Sequence, residues 1–427
     1  MSEKERLSTD PYKGVRDFYP EDWAQMQAIF ETIRKTLKLY GYEEYNASPL
    51  EPAELYEGKT SEEIVNEQTF TFTDRGDRRV TLRPEMTPTL ARMVAAKRRE
   101  LVFPLRWFSI PNLFRYERPQ RGRLREHYQL NVDLLGIPDA KADGEVITMA
   151  FTVLEALGAS AGDFTIRINS RVLLNNATQA LSYTEDEAKR YLALLDRKSK
   201  MTAEQFEEGR ALFRRNGVDA LELIESGADD NVRESKHRLE SLIEAFAQRG
   251  MSNVVFDPSI VRGFDYYTGI VFEIFDTNPE NSRALFGGGR YDNLVSLFGG
   301  EKIPAVGFGM GDVTLLDFLT THGLAPKAES APTLFLGTPQ GDDIALAHEF
   351  AETLRQEGNI SVLVNVTDKT LGDQIREAVR RGIPYFIAYG KQEYDSGMVL
   401  LKSLGDSTER RCAAAEVLDL LTHLKAR

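Results

Sequence analysis

Between residues 20 and 41 the apolar side chains Trp23, Met26, Ile29, Phe30, Ile33 and Leu37 recur at intervals of three and four. That spacing places them along one side of a helix, with Pro20 and Asp22 suiting its start and Gly41 its end. Residues 42–49 then read as a strand closed by a proline. Phe70 and Phe72 alternate with Thr69, Thr71 and Thr73, and Val80 and Leu82 alternate after Asp74-Arg75-Gly76-Asp77, which predicts a hairpin over 68–84. Residues 88–99 look helical, 105–116 and 127–135 read as two strands around an arginine-rich turn, and 144–157 as another amphipathic helix.

The pattern changes over 172–250, which is rich in Leu, Ala, Glu, Lys and Arg with almost no strand signal. A helical insertion is expected there. Strands return with Val254-Val255-Phe256 and with residues 270–275, and 304–321 run from a glycine-rich strand into a helix. Residues 325–332 have the composition of a linker, with Pro326 and Pro332 as breakers. Beyond them strands at 333–338, 361–366, 384–389 and 397–402 alternate with helices at 343–357, 370–381 and 413–425. That alternation predicts a compact α/β domain over 332–427, whereas 1–325 read as mixed α+β with mostly antiparallel strands. No internal repeat or low-complexity tract interrupts either part.

A chain of 427 residues, 42% hydrophobic and 28% charged, is globular and long enough for two or three domains. Its net charge of −13 argues against nonspecific binding to nucleic acid, which depends on neutralising phosphates. It leaves room for a local basic patch, and Arg115, Arg118, Arg121, Arg123 and Arg125 form one. The lone cysteine, Cys412, excludes a disulfide framework and any cluster of thiolates on a metal. A reducing, cytoplasmic compartment is expected. The charged N-terminus has no apolar run behind it, and no stretch approaches the roughly 18 apolar residues that span a bilayer.

Three segments carry candidate chemistry. In Leu82-Arg83-Pro84-Glu85-Met86-Thr87 the proline directs Glu85 and Thr87 the same way, and a carboxylate beside a hydroxyl suits an ammonium group. Thr87 before Pro88 also fits a helix cap. In Phe114-Arg115-Tyr116-Glu117-Arg118-Pro119-Gln120-Arg121-Gly122-Arg123, Arg115 and Glu117 share a face of a hairpin, where a guanidinium can grip phosphate oxygens. His127 either stacks on a base or is an ordinary strand histidine. Gln129 and Asp133 share a strand face. The third segment is Arg262-Gly263-Phe264-Asp265-Tyr266-Tyr267-Thr268-Gly269, followed by Phe286-Gly287-Gly288-Gly289-Arg290-Tyr291-Asp292. A fixed arginine there can stabilise a carboxylate, or the charge growing on a phosphate under attack. Adjacent strand residues face opposite ways, so one of the two tyrosines is expected in the core. Successive glycines are expected where a ligand or another backbone comes close, more than inside a structural strand.

Together these segments resemble the histidyl-tRNA synthetases, a family of class II aminoacyl-tRNA synthetases. Pro49 at a strand end resembles motif 1 of the class, and Phe114-Arg115-Tyr116-Glu117 through His127 resembles motif 2. The Arg262 and Gly288-Gly289-Arg290-Tyr291-Asp292 segments look like the two signatures peculiar to the histidine enzymes, and Gly14-Val15-Arg16-Asp17-Phe18-Tyr19-Pro20 also fits. The likeness spans nearly the whole chain. It implies an α+β fold: a class II antiparallel sheet core flanked by helices over 1–325, with the helical insertion at 172–250 and an anticodon-binding α/β domain at 332–427.

By that resemblance, Arg115 holds the ATP α-phosphate, Arg123 the triphosphate tail, Glu117 orients the adenine and His127 stacks on it. Glu85, Thr87 and Gln129 receive the amino group of histidine. Asp133 with Tyr267 binds the imidazole, Tyr266 and Tyr291 complete that pocket, and Arg262 sits between the histidine carboxylate and the α-phosphate. Arg115 and Arg262 are the catalytic pair. Arg118 and Gln120 are candidates for touching the acceptor end of tRNA(His). Mg²⁺ on the phosphates, held by no protein cluster, and a homodimer are also implied.

The chain departs from the family pattern in two places. Asp312-Val313-Thr314 stand where motif 3 carries Leu-Glu-Arg, so the usual cation for the ATP tail is missing; Arg121, Arg123 or a metal held through Asp312 are the replacements to consider. Asp133 is shorter than the glutamate often found at its position. The competing readings are a catalytically silent, histidine-binding paralog that regulates histidine biosynthesis, and a class II-like ligase for another substrate. Retention of 332–427 speaks against the first of these, and the histidine-type signatures against the second.

Overall fold

The first helix, α1 (Pro20–Leu39), buries Met26, Ile29, Phe30, Ile33 and Leu37, the face its spacing predicts, and Gly41 follows with φ of 77°. The computed structural model describes residues 7–57, 68–118, 120–198, 201–262, 266–281, 283–327 and 331–425. Pro119 and residues 263–265, quoted in two motifs above, lie outside them, as do 328–330 of the linker. The chain divides into two units, the first reaching Lys327.

In the first unit, the strand expected over 42–49 is instead two short ones, β1 (Glu43–Glu44) and β2 (Leu50–Pro52). The expected hairpin forms: β3 (Phe70–Thr73) and β4 (Arg79–Leu82) pair antiparallel and take β2 as a third strand. Helix α2 (Thr87–Lys97) follows. The strand expected over 105–116 breaks at Pro111 into β5 (Leu105–Ser109) and β6 (Asn112–Phe114), because proline offers no N–H to a ladder. Both pair with the long β7 (Glu126–Leu135). Helix α3 (Ala140–Ala156) starts earlier than its apolar pattern suggests, since the Asp139 side chain caps a polar first turn through Lys141 N at 2.8 Å.

The alternation of Phe164, Ile166 and Ile168 makes a strand unanticipated above, β8 (Phe164–Ser170). Five helices follow: α4 (Arg171–Ala180), α5 (Glu185–Asp196), α6 (Ala203–Ala211), α7 (Ala220–Ser226) and α8 (Asp230–Gln248). Thr184, Thr202 and Asp219 open three of them with reciprocal caps. The chain returns through β9 (Val254–Phe256), β10 (Ile270–Asp276), β11 (Ala284–Arg290) and β12 (Ala305–Gly311) to α9 (Asp312–Thr321).

The main sheet runs β1-β5-β7-β12-β11-β10-β8-β9, parallel only at its two ends. Its inner pairs, from β5 to β8, are all antiparallel. One side carries Phe272, Ile274, Phe286, Val306, Phe308 and Met310 into a large core shared with α1, α3 and the inserted helices. The opposite face of β12 and β11 carries glycine at Gly307, Gly309, Gly287 and Gly289. The glycine triplet thus lies inside a central strand, contrary to the expectation above.

The second unit holds a five-stranded sheet in the order β14-β13-β15-β16-β17, from β13 (Leu334–Gly337), β14 (Val362–Val364), β15 (Tyr385–Ala388), β16 (Met398–Ser403) and β17 (Glu409–Ala413). Its helices are α10 (Ile344–Gly358), α11 (Leu371–Arg380), α12 (Lys391–Ser396) and α13 (Val417–Lys425). β17 precedes the final helix, so α13 starts later than 413. No helix among the described residues is long and apolar enough to cross a membrane.

Candidate active site

A pocket lies on the glycine face of the main sheet. Its floor is backbone. Opposed pairs in an antiparallel sheet share a face, so Gly307 and Gly309, across from Asp133 and Asn131, lie under the same space as those side chains. A methyl group at Gly307 would overlap the Asp133 carboxylate, and one at Gly287 would overlap the Arg262 guanidinium. Glycine is thus demanded here by close approach.

The walls come from four separated segments. Glu85 and Thr87 stand at the turn into α2, Gln129, Asn131 and Asp133 alternate along β7, Arg262, Tyr266 and Tyr267 precede β10, and Tyr291 follows β11. Arg115, just past β6, completes the lining, its Nε donating to Pro84 O at 2.8 Å. Every residue singled out above for histidine therefore borders one cavity. Thr87 is the first residue of α2 and makes no capping hydrogen bond, so the cap reading fails. Asn131 was not anticipated, although it stands midway in the alternation that joins Gln129 to Asp133. Its amide donates to Gln129 O at 3.1 Å.

Tyr266 and Tyr267 both line the pocket, and Tyr267 is at the same time part of a buried cluster with Leu90, Val271 and Tyr291, the core member expected of the pair. They precede the strand rather than lie in it, so strand alternation does not separate them. Tyr266 O–H donates to Glu85 Oε2 at 3.1 Å, and the two rings sit 5.0 Å apart. Tyr291 O–H donates to Asp133 Oδ1. Burial pushes the Asp133 carboxyl up to about 7, with the Tyr291 bond pulling the other way.

Arg262 holds φ of 54°, a left-handed conformation that an L-residue adopts at some cost. Its Nη1 lies 3.4 Å from Glu273 Oε1 and 3.5 Å from Phe272 O, while its buried Nε meets no hydrogen-bond partner among the described residues. Burial works against its charge, but Tyr267 and Glu273 outweigh that and hold its pKa above the ordinary value. A dry cation aimed into a pocket suits a carboxylate or phosphate. Arg290, from the other of the two signatures, serves structure instead: buried, it grips Asp143 of α3 at 2.7 Å.

The remaining candidates stand outside this cavity. His127 lies on the same face of β7 as Gln129, two residues toward the strand start. It is half-buried, and burial, then the charges of Arg115 and Arg16, push its pKa down to about 3. The ring is neutral near pH 7, as a stacking surface should be. The chain past β6 is irregular, so Arg115 and Glu117 are not held to one face by strand geometry. Glu117 accepts from Arg123 Nη1 at 3.0 Å. Arg118 is exposed, and Gln120 accepts from Arg283 Nη2 at 3.2 Å. Of the replacements for the motif 3 arginine, Arg121 is engaged with Asp317 at 3.1 Å and Asp312 with Arg16.

A family profile described as Histidyl-tRNA synthetase matches residues 14–314, and one described as Anticodon binding domain matches 336–424. Curated relatives include the histidine–tRNA ligase of Leptospira biflexa, 41% identical over 97% of this chain and 98% of that protein. That of Thermoplasma volcanium is 36% identical over 97% and 99%. Among solved structures, histidyl-tRNA synthetase from Nostoc sp. superposes with a TM-score of 0.79 at 22% identity, over 98% of this chain and 100% of that one. A Bacillus halodurans structure described as an ATP phosphoribosyltransferase regulatory subunit/histidyl-tRNA synthetase gives 0.70 at 24%, over 87% and 97%. These two likenesses speak for the fold alone.

Proposed function

The chain belongs to the histidyl-tRNA synthetase family, and on that premise we propose how its pocket divides the work of joining histidine to tRNA. The activity is that of a histidine–tRNA ligase, on a class II fold. A histidine carboxylate oxygen attacks the α-phosphorus of ATP, the bond from that phosphorus to the bridging oxygen breaks, and pyrophosphate leaves with the electron pair. The terminal hydroxyl of tRNA then attacks the acyl carbon, loses its proton, and AMP departs.

No side chain need act as a nucleophile, so positioning and fixed charge carry the first step. In our reading Glu85, Thr87 and Gln129 take the ammonium group. Ionised Asp133, held by Tyr291, accepts an imidazole N–H, with Tyr266 and Tyr267 alongside. Arg262 and Arg115 bring the carboxylate and the α-phosphate together and hold the charge that grows between them. His127 stacks on the adenine, Glu117 orients it, and Arg123 reaches the phosphate tail. Arg118 and Gln120 lie at the rim for the tRNA acceptor end. What supports this reading is the convergence of four segments on one pocket. It offers a carboxylate for an ammonium, an acceptor for a ring N–H and a dry cation for an acid, the three groups of histidine.

Among the described residues no group of three or more His, Cys, Asp or Glu side chains is placed to hold a metal. Glu117 and Asp312 are each committed to an arginine. We assign Mg²⁺ to the substrate side, neutralising the β- and γ-phosphates. A cytoplasmic location and a homodimer belong to the same proposal. Elution as a monomer at micromolar concentration would count against the dimer.

Pyrophosphate exchange with each standard amino acid in turn tests the assignment: histidine alone should support it, and exchange with a different amino acid, or with none, would sink it. Residues 332–427 are proposed to read the anticodon. A chain ending at Lys327 is expected to keep exchange and to lose charging of tRNA, and equal charging by the shortened chain would overturn that role. The silent regulatory reading gains nothing from the site, since Arg115 and Arg262 both line the pocket.

A further inference from the structure

The segment Tyr12–Phe18 runs along the outer end of the site, and contacts at both ends fasten it. Arg125 N donates to Gly14 O at 2.7 Å, and Arg125 Nη1 to Tyr12 O–H at 3.0 Å. Further on, Arg16 Nη2 donates to Asp312 Oδ2 at the first residue of α9, and its guanidinium lies 4.7 Å from the centre of the Phe18 ring. Phe18 in turn packs on Trp23 and Tyr128. Asp312 is buried and anchored independently, accepting from Tyr128 N at 3.0 Å. Arg16 is therefore held in place, not swinging in solvent.

What it is held beside decides the inference. Arg16 and Arg115 are the two cations whose charge reaches the His127 ring. Of the other arginines of this end, Arg123 is engaged with Glu117, Arg121 with Asp317, and Arg125 with Tyr12 and, across 4.0 Å, the face of Tyr116, while Arg118 is exposed. Asp312 takes one nitrogen of Arg16. Nε and Nη1 have no protein hydrogen-bond partner among the described residues. Gly311, between Asp312 and β12, leaves the space beside His127 open: a methyl group there would still lie 3.9 Å from His127 Cδ2. Two guanidiniums whose charge is felt at a neutral ring next to bare backbone suit a polyanion.

We propose that Arg16 is a nucleotide-binding residue, fixed by Asp312, that contacts the outer phosphates of ATP from the N-terminal segment. This rests on the ligase reading above. It gives Asp312 a purpose at the strand–helix junction that lacks an arginine: the acid carries the cation in from elsewhere.

Pyrophosphate exchange resolves the KM values of ATP, pyrophosphate and histidine separately. Arg16→Ala is expected to raise those for ATP and pyrophosphate roughly tenfold or more, the worth of one charge-assisted hydrogen bond, while the histidine KM stays within about twofold. Loss of packing alone would lower Tm and raise no KM selectively. Unchanged KM values for ATP and pyrophosphate in folded Arg16→Ala would overturn the proposal and leave the ligase reading standing. If that variant does not fold, Arg16→Gln, whose amide still donates to Asp312 but carries no charge, decides by the same comparison. Wild-type protein that fails to exchange with histidine would instead bring down the reading beneath it.

Discussion

Arg262→Ala is expected to abolish histidine-dependent pyrophosphate exchange. The transition state of adenylate formation spreads negative charge over the attacking carboxylate and the equatorial phosphate oxygens. Arg262 meets that charge from within the protein, where water screens little. Removing one such preorganised donor costs roughly 10²–10³ in turnover in other acyl- and phosphoryl-transfer sites. Losing the ground-state grip on the carboxylate adds to this. Arg262→Lys is expected to fail nearly as badly, because an ammonium on a flexible stem cannot bridge two anionic groups with a planar fork. The backbone cost of φ 54° is shared by alanine, so the variant should fold. A folded Arg262→Ala protein that exchanges at the wild-type rate would refute the assigned role.

Asp133→Asn is expected to raise the KM for histidine roughly ten- to a hundredfold, since a neutral amide replaces a charged acceptor facing the imidazole. It also fixes the sign of two pH effects. Burial lifts this carboxyl from its ordinary 3.8 to about 7 in the free protein. Bound imidazole favours the ionised form, so the histidine KM should rise as pH falls below about 7 and level off above it. Stability runs the other way. A carboxyl whose folded value is raised helps the fold while protonated, so its contribution shrinks as pH climbs from the unfolded value through about 7. The ligand-free protein should therefore lose Tm over that window, and Asp133→Asn should lose less. Free histidine itself titrates near about 6.5, so the comparison with Asp133→Asn isolates the protein's share. Parallel pH profiles for the two proteins would exclude Asp133 as the titrating group.

Much of this site is legible residue by residue. A carboxylate and hydroxyl after Pro84, polar side chains alternating along 129–133, and an arginine beside paired tyrosines are chemistry that a core has little use for. All of them border the pocket. Alternation itself could have added Asn131. Pairings between distant segments had no such signal. Nothing near Arg123 foretells its bond to Glu117, because irregular backbone past β6 sets their approach. Nothing near Arg16 announces Asp312, since the pair spans most of the first unit. The glycine run reads as a site of close approach. That its glycines sit inside central strands depends on which side chains the neighbouring strands aim across them.

The order of residues by itself determined most of the helices and strands and the ligand-facing chemistry, because periodicity and side-chain type are local properties. Tertiary structure alone decided that four segments share one cavity, that glycine backbone is its floor, and that an acid at the head of α9 captures an arginine from the N-terminal segment. Those outcomes depend on strand register and on distances through space, and no short window of sequence encodes either.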